Sequence, residues 1–230
     1  MSTENITVEI VNPNEKWIYR IGGIASLTIG VGYIAIIALY ASVGVSPTGG
    51  EARLEYLIGK TAAWWAIVGL SVLTNFLYVP VALSLYSALK ILNRIAVLIG
   101  GAFIGLFVIL ENAVNWTFYG ALIMLSEGYA TAINEAQKAS FVAAATLASA
   151  ILESPLAAVW AIGTLSFGFL VIGFVMLKGV FNKVTAYLGI LTGVLGVAAV
   201  AGVSIAVILN ALFATIWLFF VGYRLLKLSK

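Results

Sequence analysis

Long apolar runs separated by short polar stretches organise this chain. A helix needs about 20 apolar residues, at 1.5 Å each, to cross the roughly 30 Å hydrocarbon core of a bilayer. The pattern predicts six such helices, over 17–42, 61–88, 95–124, 155–177, 184–201 and 205–225. The fifth and sixth are parted only by the small-residue turn Ala201-Gly-Val-Ser204. A further stretch, 136–154, is apolar but short and rich in Ala and Ser. If it crosses, there are seven spans; if it lies on the surface or re-enters, there are six.

Basic residues decide between these counts, because cytoplasmic loops collect Lys and Arg. With six spans and an inner N-terminus, Lys16, Arg20, Lys90, Arg94, Lys178, Lys183, Arg224, Lys227 and Lys230 share the inner side. Only Arg53, Lys60 and Lys138 fall outside, beside Glu51, Glu55, Glu127, Glu135 and Glu153. Seven spans would split the basic set. The expected fold is therefore an all-α polytopic transmembrane bundle. It has six spanning helices plus a peripheral or re-entrant outer helix over 136–154. Residues 1–15 form an acidic cytoplasmic tail without the basic-then-apolar order of a cleavable signal. Residues 16–230 form one membrane domain, multi-pass in the cell membrane, with both termini cytoplasmic. On that side Asn5-Ile6-Thr7 is a chance match to a glycosylation acceptor.

Composition agrees with the pattern and narrows the chemistry. The chain is 63% hydrophobic and 9% charged, with mean hydropathy +1.11. A soluble domain carries about 25% charged residues, so too little polarity is present to coat a water-facing surface. The formal charge of +3 comes mostly from loops. That is a topology signal, and no nucleic-acid partner is expected. The sequence has no Cys and no His, and all nine of its acids are Glu. Disulfides, thiolate nucleophiles, histidine-ligated haem and the usual zinc sites are excluded. No metal or cofactor is expected; the expected partners are the lipid bilayer, a small-molecule or lipid ligand and a membrane-protein partner.

Within that greasy background one acid stands apart. Glu111 lies in Leu106-Phe-Val-Ile-Leu-Glu-Asn-Ala-Val-Asn-Trp-Thr-Phe-Tyr-Gly120 and is the only acid inside an expected span. A carboxyl group in hydrocarbon is costly and belongs against a partner or a wet cavity. Helical spacing puts Glu111, Asn115 and Tyr119 on one face. The expected site is a polar cluster in the outer half of the bundle built from Glu111, Asn115, Asn210 and Thr164. Trp160 lies nearby, and Asn75 with Ser71 and Tyr78 extends it inward. The competing reading is plain packing, with a neutral Glu111 hydrogen-bonded to Asn210. Glu153-Ser154-Pro155 reads as a helix start, and Trp64, Trp65, Trp116 and Trp160 as an aromatic belt. Gly22, Gly23, Gly30 and Gly32 thin the first helix. With Gly101-Ala-Phe-Ile-Gly105 and Gly189-Ile-Leu-Thr-Gly193 they are expected to pack helices within the chain. No internal repeat is visible, which weighs against an inverted-repeat transporter.

Several segments together resemble a bacterial and archaeal membrane-protein family, domain of unknown function 4386. They are Lys16-Trp-Ile-Tyr-Arg-Ile-Gly-Gly23, Ser84-Leu-Tyr-Ser-Ala-Leu-Lys-Ile-Leu-Asn-Arg-Ile-Ala96, Glu111 itself, and Lys178-Gly-Val-Phe-Asn-Lys-Val-Thr-Ala-Tyr-Leu-Gly189. The last is Asn210-Ala-Leu-Phe-Ala-Thr-Ile-Trp-Leu-Phe-Phe-Val-Gly222. The resemblance implies six membrane helices and an acid at Glu111. It also implies a Glu in the last helix, where this chain has Asn210, so a mechanism needing two carboxylates loses one.

Three functions stay open at this point. The chain binds or moves a small ligand or proton through an outer cavity at Glu111. Or it is an accessory subunit beside a larger membrane-protein partner. Or it is an intramembrane enzyme restricted to Glu, Ser or Lys chemistry, for which Glu111 and Glu153 would have to pair. The last fits least, and the expectation leans away from an enzyme.

Overall fold

A computed structural model describes residues 15–230. The acidic tail, with Asn5-Ile6-Thr7, lies outside the described residues apart from Glu15. The described chain is helical, with no strand among the described residues. Its elements are α1 (Lys16–Val43), α2 (Gly50–Leu57) and α3 (Thr61–Leu110), which runs through a π-helical segment (Glu111–Trp116) into α4 (Thr117–Ala130). Then come α5 (Glu135–Leu152) and α6 (Pro155–Ala158), which runs through a second π-helical segment (Val159–Gly163) into α7 (Thr164–Met176). The chain ends with α8 (Lys183–Val200) and α9 (Ser204–Leu228).

Local chemistry sets many of these boundaries. Asn134, Ser154 and Asn182 accept hydrogen bonds from the backbone N–H groups of Gln137 (2.8 Å), Ala157 (3.3 Å) and Thr185 (2.8 Å). Each satisfies a donor that the first helical turn leaves without a partner. Pro155 follows Ser154 at the first position of α6, as its sequence predicts. Gly202, at φ 95°, makes the turn between α8 and α9; a residue with a Cβ is strained in that left-handed conformation.

Among the described residues, five helical stretches are long and apolar enough to cross a membrane: Lys16–Val43, Thr61–Ala130, Pro155–Met176, Lys183–Val200 and Ser204–Leu228. The predicted spans 61–88 and 95–124 are parts of a single 70-residue stretch. It is not straight. Asn93 has φ −160° and ψ 87°, outside the helical region, and its side chain accepts a hydrogen bond from Ala96 N–H at 3.0 Å. Asn93 thus starts a new helix one residue after the old one ends. Three pairs show that the two legs run back alongside each other. Tyr78 meets Phe107 with ring centroids 5.5 Å apart. The side-chain amides of Asn75 and Asn112 meet at 3.1 Å, and Trp64 stacks on Tyr119 at 5.3 Å. On one straight helix at 1.5 Å per residue, Trp64 and Tyr119 would be about 80 Å apart.

α1 packs along α3 and α9, α3 along α7, α7 along α8, and α8 along α9. Tyr19, Tyr78, Phe169 and Trp217 are fully buried at the centre. A second cluster around Trp64, Leu54, Ile67, Leu122 and Ile123 forms where α2 and α5 close over the ends of the legs. The predicted stretch 136–154 is α5. It is not among the helices apolar enough to cross, and it lies against α2 and α4. Outward, large apolar side chains are exposed on separate helices, among them Val31, Leu83, Ile109, Phe174 and Ile208. Exposed apolar side chains on so many helices suit a hydrocarbon surrounding.

The glycines divide in a way the sequence does not. A Cβ on Gly22 would fall 2.9 Å from the Pro80 carbonyl oxygen, and one on Gly193 2.8 Å from the Ser166 carbonyl oxygen. Those glycines hold helices close, as expected. Gly101 and Gly105 do not: a Cβ there would meet nothing within 4 Å. The packing contact in that region is made by the preceding residue, Gly100, against Ile172 and Gly168. The first small-residue pattern is therefore on an open face.

Candidate functional site

Glu111 opens the first π-helical segment, and Asn115 lies four residues on within it. Both are buried, with 7% and 5% of their surface exposed. A π segment inserts an extra residue into the helical turn and frees backbone groups that need new partners. Side chains supply them here. The Asn112 amide donates to the Val108 carbonyl at 2.8 Å and the Thr117 hydroxyl to the Asn112 carbonyl at 3.0 Å. In the second π segment, the Thr164 hydroxyl donates to the Trp160 carbonyl at 2.7 Å.

The two π segments touch beside an open cavity of 420 Å³. Glu111, Asn115, Trp116 and Tyr119 line one side, Ala157, Ala158 and Ala161 the other. Tyr40 of α1 and Leu152 to Pro155, between α5 and α6, complete the wall. Inside, the Asn115 amide donates to a Glu111 carboxylate oxygen at 2.5 Å. The amide oxygen of Asn115 is buried and has no hydrogen-bond partner.

Behind the wall stands an aromatic layer centred on Trp64. Tyr119 stacks on it at 5.3 Å, Tyr40 meets it edge-on at 5.7 Å, and Tyr56 does so at 6.2 Å. Trp116 is held from the other side by Asn75. With the Asn75 amide turned to satisfy both of its ends, its oxygen accepts from the Trp116 indole and its nitrogen donates to the Ser71 carbonyl, each at 3.2 Å.

The rim is closed by an ion pair. Arg53 of α2 meets Glu153 at 3.1 Å, and the same carboxylate accepts from Gly49 N–H at 2.9 Å. Arg53 also donates to the Pro47 carbonyl at 3.2 Å. These bonds tie the 44–60 connection to the junction of α5 and α6.

The structure regroups the predicted residues. Glu111, Asn115 and Tyr119 share the cavity. Asn75 sits one layer behind it. Asn210 belongs to a separate polar set: its amide donates to the Ser166 hydroxyl at 3.1 Å and the Thr192 carbonyl at 2.7 Å. Its expected bond to Glu111 is replaced by these, because α9 packs on α8 and α1 rather than on the leg that carries Glu111. Thr164 and Trp160 bond to each other and do not line the cavity. Tyr40 and Glu153 do line it. Glu153 entered the sequence reading as part of a helix start and, in the enzyme alternative, as a carboxyl that would pair with Glu111; Tyr40 carried no signal in the sequence. Among the described residues, no group of three His, Cys, Asp or Glu side chains could hold a metal ion.

Comparison with protein-family models, with curated proteins and with solved structures gives no match to this chain.

Proposed function

We propose that this is a six-crossing membrane protein that binds or moves a small ligand or proton through the cavity at Glu111. The resemblance to domain of unknown function 4386 is part of this reading and rests on the quoted segments. The crossing count takes the 70-residue stretch twice, once on each side of Asn93, and leaves α5 on the surface. The basic residues then orient both termini to the cytoplasm. The carrying observation is the pairing of a buried carboxyl group with a 420 Å³ space, a volume typical of small-molecule sites. An acid retained inside a membrane bundle normally marks such a pathway or site.

The chain has no cysteine, so a single introduced thiol is a clean reporter. Ala161→Cys, on the wall opposite Glu111, is expected to react with a water-soluble maleimide in intact membranes, and Ala214→Cys, in the core, is not. If neither variant reacts, there is no wet cavity to work with.

A second reading, an accessory subunit of a larger membrane complex, is favoured by one feature. Gly101 and Gly105 have open space above them, and Leu98 and Ile109 extend the same face with exposed side chains. Gentle extraction would distinguish the two readings: a stoichiometric membrane-protein partner supports the accessory role, and a stable lone chain argues against it.

A further inference from the structure

The wall of the Glu111 cavity has a consistent chemical sign. Its two acids are Glu111 and Glu153, and no Lys or Arg lines it. Glu153 is already compensated by Arg53 and Gly49 N–H. Glu111 has only the neutral Asn115 amide, whose own oxygen lacks a partner while 5% of the residue is exposed. The indole N–H of Trp116 is taken by Asn75. The site is therefore rich in acceptors and holds one carboxyl group without a cation.

Such a wall repels anions. It also suits a bare metal ion poorly. Calcium takes six to eight oxygens and magnesium a tight octahedron, whereas no three acids gather here among the described residues. The cavity volume of 420 Å³ is far larger than one ion. Three aromatic rings complete the lining: Tyr40, Trp116 and Tyr119. Trp116 and Tyr119 lie 5.5 Å apart, and buried Trp64 fixes Tyr40 and Tyr119 from behind. Ring faces beside a carboxylate are the usual means of holding an alkylated ammonium group, which is too bulky and too weakly hydrated for a cage of oxygens.

We propose that the cavity binds a small, singly charged organic ammonium ion, its charge set against Glu111 and its alkyl groups against Tyr40, Trp116 and Tyr119. This rests on the reading of the cavity as a ligand site and adds the class of ligand.

The test uses the full chain with Ala161→Cys and follows the rate of maleimide reaction. Choline is the probe, and 3,3-dimethylbutan-1-ol, of the same shape without the charge, is the control. At one shared concentration, set where choline protects about fivefold, the alcohol is expected to protect less than about twofold, because it lacks the ring–cation attraction and fills less of the site. Glu111→Gln in the same background, read against its own rate without choline, should abolish the choline effect. Tyr40→Leu, at a position 37% exposed, should weaken it. Equal protection by choline and the alcohol, protection that survives Glu111→Gln, or no protection by choline would each overturn the ammonium assignment. A thiol that never reacts would instead remove the cavity reading beneath it. Ala158→Cys, on the same wall, serves if Ala161→Cys does not fold.

Discussion

At the residue scale, the buried polar groups near the cavity are unequal in what they hold. Glu111→Gln keeps an oxygen to accept from Asn115, so the fold should hardly notice it. Its unfolding midpoint in detergent is expected to stay within the range set by one intramembrane hydrogen bond, about 0.6 kcal/mol. Asn75→Leu is different. It strips a partner from the Trp116 indole and a donor from the Ser71 carbonyl at once, and should cost about 1–2 kcal/mol, near the upper end measured for such bonds. A larger loss in Glu111→Gln than in Asn75→Leu would show that Glu111 is chiefly a packing residue. The burial of Glu111 was legible in the sequence, because an acid in an apolar run has few places to go. Its neighbours on other helices were not. Spacing tells which residues share a face of one helix, and Asn115 follows from that. It does not tell which helix that face meets, so Asn210 was placed with Glu111, and Glu153 was set beside Glu111 only in the enzyme reading.

Helical elements show the same limit. Their positions followed from apolar length, and caps at Ser154-Pro155 could be read directly. The two π segments could not, since no residue type demands them. Nor could the sequence rank the two Gly-xxx-Gly patterns, which differ only in whether a neighbour happens to lie opposite. That difference yields a sharp contrast. Gly193→Ala forces a Cβ onto the Ser166 carbonyl oxygen and Leu170 Cα, each at 2.8 Å, and should destabilise by about 1–3 kcal/mol, as overpacking does. Gly101→Ala meets open space and gains helix propensity of up to about 1 kcal/mol. Thermal unfolding of the two variants side by side should move in opposite directions. A destabilised Gly101→Ala would mean that its open face is covered by another chain.

For the whole molecule, the single-residue break at Asn93 governs the topology. If the legs on either side each cross the membrane, Asn93→Cys and Ser229→Cys must label from the same side, and Thr131→Cys from the other. Impermeant thiol reagents applied to right-side-out and inverted vesicles read this directly. Labelling of Asn93→Cys and Thr131→Cys from one side would rule out the double crossing. The same break has a consequence for how the protein comes together. A hairpin closes from its turn outward, since the entropic cost of joining two points rises with the chain between them. Tyr78 finds Phe107 before Asn75 finds Asn112, and Trp64 reaches Tyr119 last of the three. The clasp of Arg53 on Glu153 spans more chain still. The cavity is thus assembled at the end of folding, and it occupies the end of the hairpin most ready to fray. A guest would enter through the part of the molecule that is the last to zip shut and the first to open.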